Sequence, residues 1–260
     1  MTKAQRRDQT AALASNGMAP FPMVSDRDHA AGRSYAALWQ RWRNAPMVGL
    51  HVRAEMGAGY VSTVGALNLD GVMAAGLVNS PMVGATMGGR DGFCVPLPLQ
   101  LAWVSDRGWP MWAATEFVAA SAQTGQAYLH KRHPTDRAPL GARQAVNTSA
   151  GQFKDVRLPL QVRVTEALDA WCIGAADDVR AILSSVTHIG RKGAIGYGRV
   201  LRWKVEPADV SLAWVLDRRA VPLAACGDAD PGRVSPRDAW TAPYWDASRH
   251  LPVRVAKWTN

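Results

Sequence analysis

Cysteine is scarce in this chain: Cys94, Cys172 and Cys226 are three in number, far apart and not flanked by histidine at ligand spacing. That excludes a disulfide framework and a zinc site of ordinary design, and it suits a reducing cytoplasm. Long apolar runs are missing too. No window reaches the roughly 18 residues that would span a bilayer, and "MTKAQRRDQTAALASNGMAPFP" has basic residues without a signal-peptide core, so the expectation is an unexported, cytoplasmic protein with no membrane partner. Acid is the third shortage. Twenty-one Asp plus Glu face thirty Lys plus Arg, for a net charge of +9, which favours a polyanionic partner without choosing among RNA, DNA and acidic membrane. Two familiar phosphate loops are also absent. No Gly-Lys-Ser/Thr follows a strand, and "GYGRVL" falls between a helix and a strand, the reverse of the dinucleotide-binding order.

What is present in quantity is glycine beside positive charge. "HIGRKGAIGYGR", His188 to Arg199, holds Gly190, Gly193, Gly196 and Gly198 together with Arg191, Lys192, Arg199 and Tyr197. Missing side chains would let a sugar-phosphate strand approach main-chain N–H groups, with the three cations at the rim to pair with phosphates. The plainer alternative is a turn that lets a helix swing into a strand.

The remaining pattern predicts an α+β domain. Residues 1–27 read as a polar arm. "DHAAGRSYAALWQRWRN" spaces Tyr35, Leu38, Trp39 and Trp42 as an amphipathic helix, either packed on the domain or tracking nucleic acid. A strand is expected over "MVGLHVRAEM", a helix over Ala66–Val78, and a hairpin from "LPLQLAWVSD" and "WPMWAATEFV". From His130 to Arg163 seven cations (Lys131, Arg132, Arg137, Arg143, Lys154, Arg157, Arg163) outnumber Asp136 and Asp155, and much of the stretch should be an exposed loop. Extended structure then precedes a helix at Ala175–Val186 and a strand in "GRVLRWKVE". Beyond Pro207, "VSLAWVLD" reads as a strand and the rest as a tail of loops. This order is close to the β-α-β-β-α-β of ferredoxin-like, RRM-like domains, with helices on one face of an antiparallel sheet and the other face free. The expected division is an arm and short helix at 1–45, the ferredoxin-like domain at 46–206 with a basic insertion at about 128–155, and a C-terminal strand and tail at 207–260.

The spacing of Gly190, Gly196 and Gly198, after an amphipathic helix and before "RVLRWKVE", resembles the glycine-rich loop of the RAMP superfamily of CRISPR-associated proteins. Within it the chain looks most like the type IV effector subunit, of the Cas five type, that caps the 5′ handle of the guide RNA. The supporting motifs, in order, are "LNLDGVMAAGL", "FCVPLPLQ", "MWAATEF", "SAGQFKDVRLPL" and "APYW". Residues 1–45 precede the family's usual first strand. The resemblance implies a non-catalytic RNA-binding subunit without cofactor or metal. It would hold the 5′ handle of the CRISPR RNA and end a filament of backbone subunits, with a large or small subunit at the same end and target DNA in the assembled complex. It also implies that His188, Gly190, Arg191, Lys192, Gly196, Tyr197, Gly198 and Arg199 lie against RNA, joined by Lys131, Arg132 and Lys154. Tyr197 would either stack on a splayed base or pack under the loop.

Some members of the superfamily cut the guide precursor without metal, so a ribonuclease is the competing expectation, with His188, or His130 and His133, as the base and Arg191, Lys192 and Tyr197 steadying the phosphate. Against it, His188 falls where a histidine caps a helix C-terminus, and Asp177 and Asp178 fall where they serve a helix N-terminus. A third possibility is a basic scaffold that binds only protein. Of the eleven tryptophans, Trp103, Trp112, Trp203 and Trp214 are expected in strands of the core. Trp240 and Trp245, in the tail, are the candidates for contact with a neighbour.

Overall fold

Along β1 (Val48–Met56) every second side chain from Leu50 onward is buried, the two-residue period of a strand with one face on a core. In the computed structural model, which describes residues 37–62, 66–78, 95–105, 109–131, 149, 155–227, 232–242, 244 and 247–258, β1 is the middle strand of an antiparallel sheet. It pairs on one side with β7 (Ala167–Gly174) and on the other with β8 (Val200–Pro207). Beyond β7, residues 113–118 run alongside through bridges Ala114–Cys172 and Val118–Asp169. This edge is not a regular ladder, because the Thr115 hydroxyl takes the Trp171 N–H at 2.9 Å while the Thr115 N–H donates to the Trp171 carbonyl at 2.8 Å.

Two helices cover one face of that sheet. The first described helix, α1, spans 37–42; α2 is Leu69–Val78 and α3 is Ala176–Ser184. Val179, Ile182 and Leu183 of α3 and Leu69, Met73 and Leu77 of α2 join Leu50, Val52, Ala54 and Cys172 in one core. Helix α1 packs on the same core through Trp39 and Trp42, and its Arg41 pairs with Asp178 at 2.6 Å. This is the packed-helix alternative rather than a helix tracking nucleic acid.

A second sheet grows from the end of the first. The chain bends at Gly57–Gly59 from β1 into β2 (Tyr60–Val61), which pairs with β6 (Val156–Val164), and β6 pairs along its whole length with β5 (Gln123–Lys131). The β5–β6 ladder extends from Gln123–Val164 at its base to Lys131–Val156 at its far end, a reach of about 25 Å at 3.3 Å per residue. The exposed loop expected from His130 therefore begins in a strand. Arg132 and Lys154, with most of the basic insertion, lie outside the described residues, as do the arm at 1–27 and Tyr35.

The region after Pro207 departs most from expectation. "VSLAWVLD" contains a helix, α4 (Leu212–Asp217), because Ser211 caps it by accepting the Trp214 N–H at 3.2 Å. Val215 then packs on Ile173 of β7, on the side away from α2 and α3, so the second face of the central sheet is partly covered. The expected tail of loops holds β9 (Val221–Pro222), β10 (Val234–Ala239) and β11 (His250–Arg254), an antiparallel sheet in the order β10-β11-β9. Pro236 hid β10: it falls within the register shift between Ser235 and Asp238, one of the few places a sheet tolerates proline. The hairpin of β3 (Leu101–Val104) and β4 (Pro110–Trp112) packs against this sheet around Met111, Val221, Trp240 and Val253. Trp240 is fully buried there and cannot meet a neighbour, and Trp214 is on α4 rather than in a strand. Trp245 lies outside the described residues.

Candidate nucleic-acid interface

Strand β8 returns beside β1, so the segment linking α3 to β8 must cross the corner where the second sheet leaves the first. Three backbone hydrogen bonds zip it to that bend: Gly57 N–H to Arg199 carbonyl (2.8 Å), Gly198 N–H to Gly59 carbonyl (2.8 Å) and Arg191 N–H to Val61 carbonyl (2.8 Å). His188 and Arg199 face each other across an antiparallel bridge, and Ile189 N–H donates to Gly198 carbonyl at 2.8 Å. The result is a hairpin-like loop with a short 3-10 turn, Gly193–Ile195, at its tip.

The glycines have separate reasons to be glycine. Gly190, Gly196 and Gly198 all have positive φ, at 81°, 93° and 70°, a region that side chains enter at a cost. A Cβ on Gly198 would stand 1.9 Å from the Ile189 carbonyl oxygen, and one on Gly190 would stand 2.7 Å from that of Val61. At these two positions the protein's own backbone fills the space that the sequence offered to a ligand. Gly196 differs, with nothing within 4 Å of a Cβ. Lys192 also adopts positive φ, at 68°, the one non-glycine to do so among the described residues.

Arg191, Lys192 and Arg199 are exposed, and no carboxylate pairs with any of them among the described residues. The amides of Lys192, Gly193 and Ala194 likewise find no backbone acceptor among the described residues, although their neighbours do. Cations elsewhere on the central sheet are neutralised. On the face away from α2 and α3, Arg53 and His51 share Asp169, at 3.1 and 2.8 Å, and Arg202 and Lys204 share Glu55, at 2.8 and 2.6 Å. Lys204 and Arg202 hold the Glu55 carboxyl below the usual carboxylate range. His51 also stacks on Trp171, which Trp214 and Trp258 flank.

Tyr197 is half-buried against Val61, Leu160 and Val162 at the base of the β5–β6 hairpin, the packing alternative of the two expected for it. His188 is exposed and its Nδ1 lies 2.9 Å from the Thr187 hydroxyl. It does not cap α3, which ends at Ser184 with Ser185 as its cap. Nor do Asp177 and Asp178 cap the N-terminus of that helix: Ala175 occupies the cap position, and the two carboxylates pair with Arg180 and Arg41 at 2.8 and 2.6 Å. Lys131 ends β5, opposite Val156 at the far end of the hairpin. The glycine loop, bridged to Val61 of β2, thus meets this sheet near the base of the hairpin, while Lys131 stands at the opposite end of β5. Sequence reasoning missed Tyr128, which is exposed on β5 and carries the Arg157 guanidinium 3.9 Å from its ring centre. The signal was faint, since "QTGQAYLHK" has little apolar alternation. Among the described residues no three His, Cys, Asp or Glu side chains group as a metal site, and no helix is long and apolar enough to cross a membrane.

No curated protein matches the chain. Among solved structures, a chain in the cryo-EM structure of the Type III-B Cmr-beta bound to cognate target RNA is similar at 8% identity and a TM-score of 0.35, over 79% of this chain and 75% of that one. The family model of CRISPR type IV associated protein Csf3 matches residues 103–256, which run from the β3–β4 hairpin through the glycine loop and across the C-terminal sheet. With more than half of its length matched, and in the type IV group to which its motifs pointed, the chain belongs to the family of CRISPR type IV associated protein Csf3.

Proposed function

We propose that this protein is a non-catalytic, cytoplasmic subunit of a type IV effector ribonucleoprotein that holds the 5′ handle of the CRISPR RNA and caps the filament of backbone subunits. The observation that carries this reading is the contrast between two sets of cations. Those on the central sheet are matched by Asp169 and Glu55, whereas Arg191, Lys192 and Arg199 stand exposed without an acid, beside main-chain amides with no backbone acceptor among the described residues. Unmatched charge on a braced loop is suited to phosphates, because little ordering remains to be done on binding. The strand order β8-β1-β7, with residues 113–118 beyond β7 and α2 and α3 on one face, supports a ferredoxin-like domain of the RNA-recognition kind. Within this reading His188, Gly190, Gly196 and Gly198 shape the path, while Lys131, Arg132 and Lys154 supply further cations for the RNA. Tyr197 positions the loop rather than stacking on a base.

The experiment is purification of the assembled complex in moderate salt, measurement of absorbance at 260 and 280 nm, and sequencing of the nucleic acid it carries. Guide RNA with a protected repeat-derived 5′ end is expected. A complex with this subunit present and no RNA retained overturns the reading in favour of a protein-only scaffold. Cleavage of repeat RNA by the isolated chain in EDTA, abolished by His188→Ala, overturns it in favour of a ribonuclease.

A further inference from the structure

The tip of the glycine loop carries an isoleucine whose placement is hard to explain by packing. Ile195 is 52% exposed. Single apolar residues on a surface are ordinary, so exposure alone says nothing, but three features of this one go further. First, it is held out rather than left loose. The 3-10 turn is bracketed by left-handed Lys192 and Gly196, at φ 68° and 93°, and the Lys192 carbonyl accepts the N–H groups of both Ile195 (3.1 Å) and Tyr197 (3.3 Å).

Second, the turn is braced from both sides. The His188 side chain lies close enough to Gly193 that a Cβ there would meet its Cβ at 3.0 Å, and Tyr197 is packed at the base of the hairpin. A β-branched side chain on such a turn has few rotamers and is stiff. Third, its flanks are cationic. Arg191 and Lys192 precede it and Arg199 follows, with no acid paired to any of them among the described residues, so an apolar protein groove closing over Ile195 would also have to bury uncompensated charge. A polyanion satisfies the cations and brings flat, apolar base faces to the same place.

We propose that Ile195 is a wedge that enters the base stack of the single-stranded RNA held by the loop and separates two neighbouring bases. The proposal rests on the reading of the loop as an RNA contact and adds to it how the strand is held in register. Aliphatic side chains part base steps in this way in other nucleic-acid complexes, and single-stranded RNA is commonly read in a splayed form.

The test uses the full chain and a set of single-stranded RNAs of its own repeat sequence, each with 2-aminopurine at one position of the 5′ handle. Unstacking raises 2-aminopurine fluorescence, so the wild type is expected to brighten the probe at one or two adjacent positions. Ile195→Ala should abolish that signal while weakening binding by less than about tenfold, and Ile195→Leu should retain it. Binding that Arg191→Ala with Lys192→Ala weakens, but with the same fluorescence pattern in wild type and Ile195→Ala, overturns the wedge and leaves the loop reading intact. Binding that neither Arg191→Ala with Lys192→Ala nor Ile195→Ala affects overturns both. Loss of a partner subunit from the complex on Ile195→Ala, with fluorescence unchanged, assigns the residue to a protein contact and overturns the wedge.

Discussion

The carboxylate of Asp70, in the first turn of α2, lies 3.3 Å from the guanidinium of Arg219, 149 residues later, and both side chains are withdrawn from water. Arg219 also reaches the carbonyls of Trp112, Ala114 (3.2 Å) and Trp240 (2.7 Å), and the Tyr244 hydroxyl donates to Asp70 at 2.6 Å. One cation thereby ties α2, the β3–β4 hairpin and the C-terminal sheet together. Burial alone would lower the Arg219 pKa, but Asp70 and Tyr244 more than offset it and hold the guanidinium charged. Removing one partner leaves an uncompensated buried charge. Arg219→Ala and Asp70→Ala should each cost about 3–5 kcal/mol in denaturant unfolding, while Asp70→Leu combined with Arg219→Met should cost less than either single change. If the double variant costs the sum of the two, the pair is not a coupled unit.

The loop glycines give a graded series. At Gly198 a methyl group would collide with the Ile189 carbonyl at 1.9 Å in a left-handed backbone, and Ile189 is itself held in place by its N–H bond to the Gly198 carbonyl at 2.8 Å. Gly198→Ala should therefore lower Tm clearly and disturb the loop. Gly196 has the conformational demand without the collision, so Gly196→Ala should cost only about 1–2 kcal/mol. Thermal melts of the two variants side by side check the order; equal losses would mean that φ alone governs this loop.

Much of the central sheet and both of its helices could be read from pattern, since Leu50, Val52 and Ala54 alternate and Val179, Ile182 and Leu183 repeat at helical spacing. The losses came where a local interaction outweighs periodicity. Val210, Leu212 and Trp214 alternate as a strand would, yet the Ser211 hydroxyl on the Trp214 amide turns the segment into α4. Ser211→Ala should cost about 1 kcal/mol, measured by unfolding. The cation set of the loop was equally legible, because exposed charge needs no partner to be recognised. The reasons for Gly190 and Gly198 were not, because the atoms they avoid are carbonyls of Val61 and Ile189 that only the folded chain brings close.

Glu116 provides a pH-dependent test of how the segment after β11 docks on the central sheet. Burial pushes its carboxyl pKa up, despite the Trp258 indole N–H donating to it at 2.5 Å. A carboxyl raised in the folded state contributes stability that is fully present below its unfolded value, near 4.3, and is lost as pH rises through the higher folded one. Glu116→Gln keeps an acceptor for Trp258 and removes the titration. The variant should therefore gain stability relative to wild type as pH rises from 4 to 7. A constant difference in Tm across that range would show that burial does not perturb this carboxyl.

The unmatched cations make the sharpest prediction about binding. If Arg191, Lys192 and Arg199 each meet a phosphate, then replacing Arg191 and Lys192 by alanine should weaken RNA binding and flatten its salt dependence by roughly 0.7 in log-log slope for each phosphate no longer neutralised. Replacing Arg202, which already pairs with Glu55 at 2.8 Å, removes the same kind of charge from the central sheet and leaves Glu55 to Lys204 alone. A general attraction to a basic protein would respond to charge removal at either place. A site built on uncompensated charge responds to the loop pair in slope as well as affinity, and to Arg202→Ala in neither, so titrations at several salt concentrations with wild type and both variants separate the two.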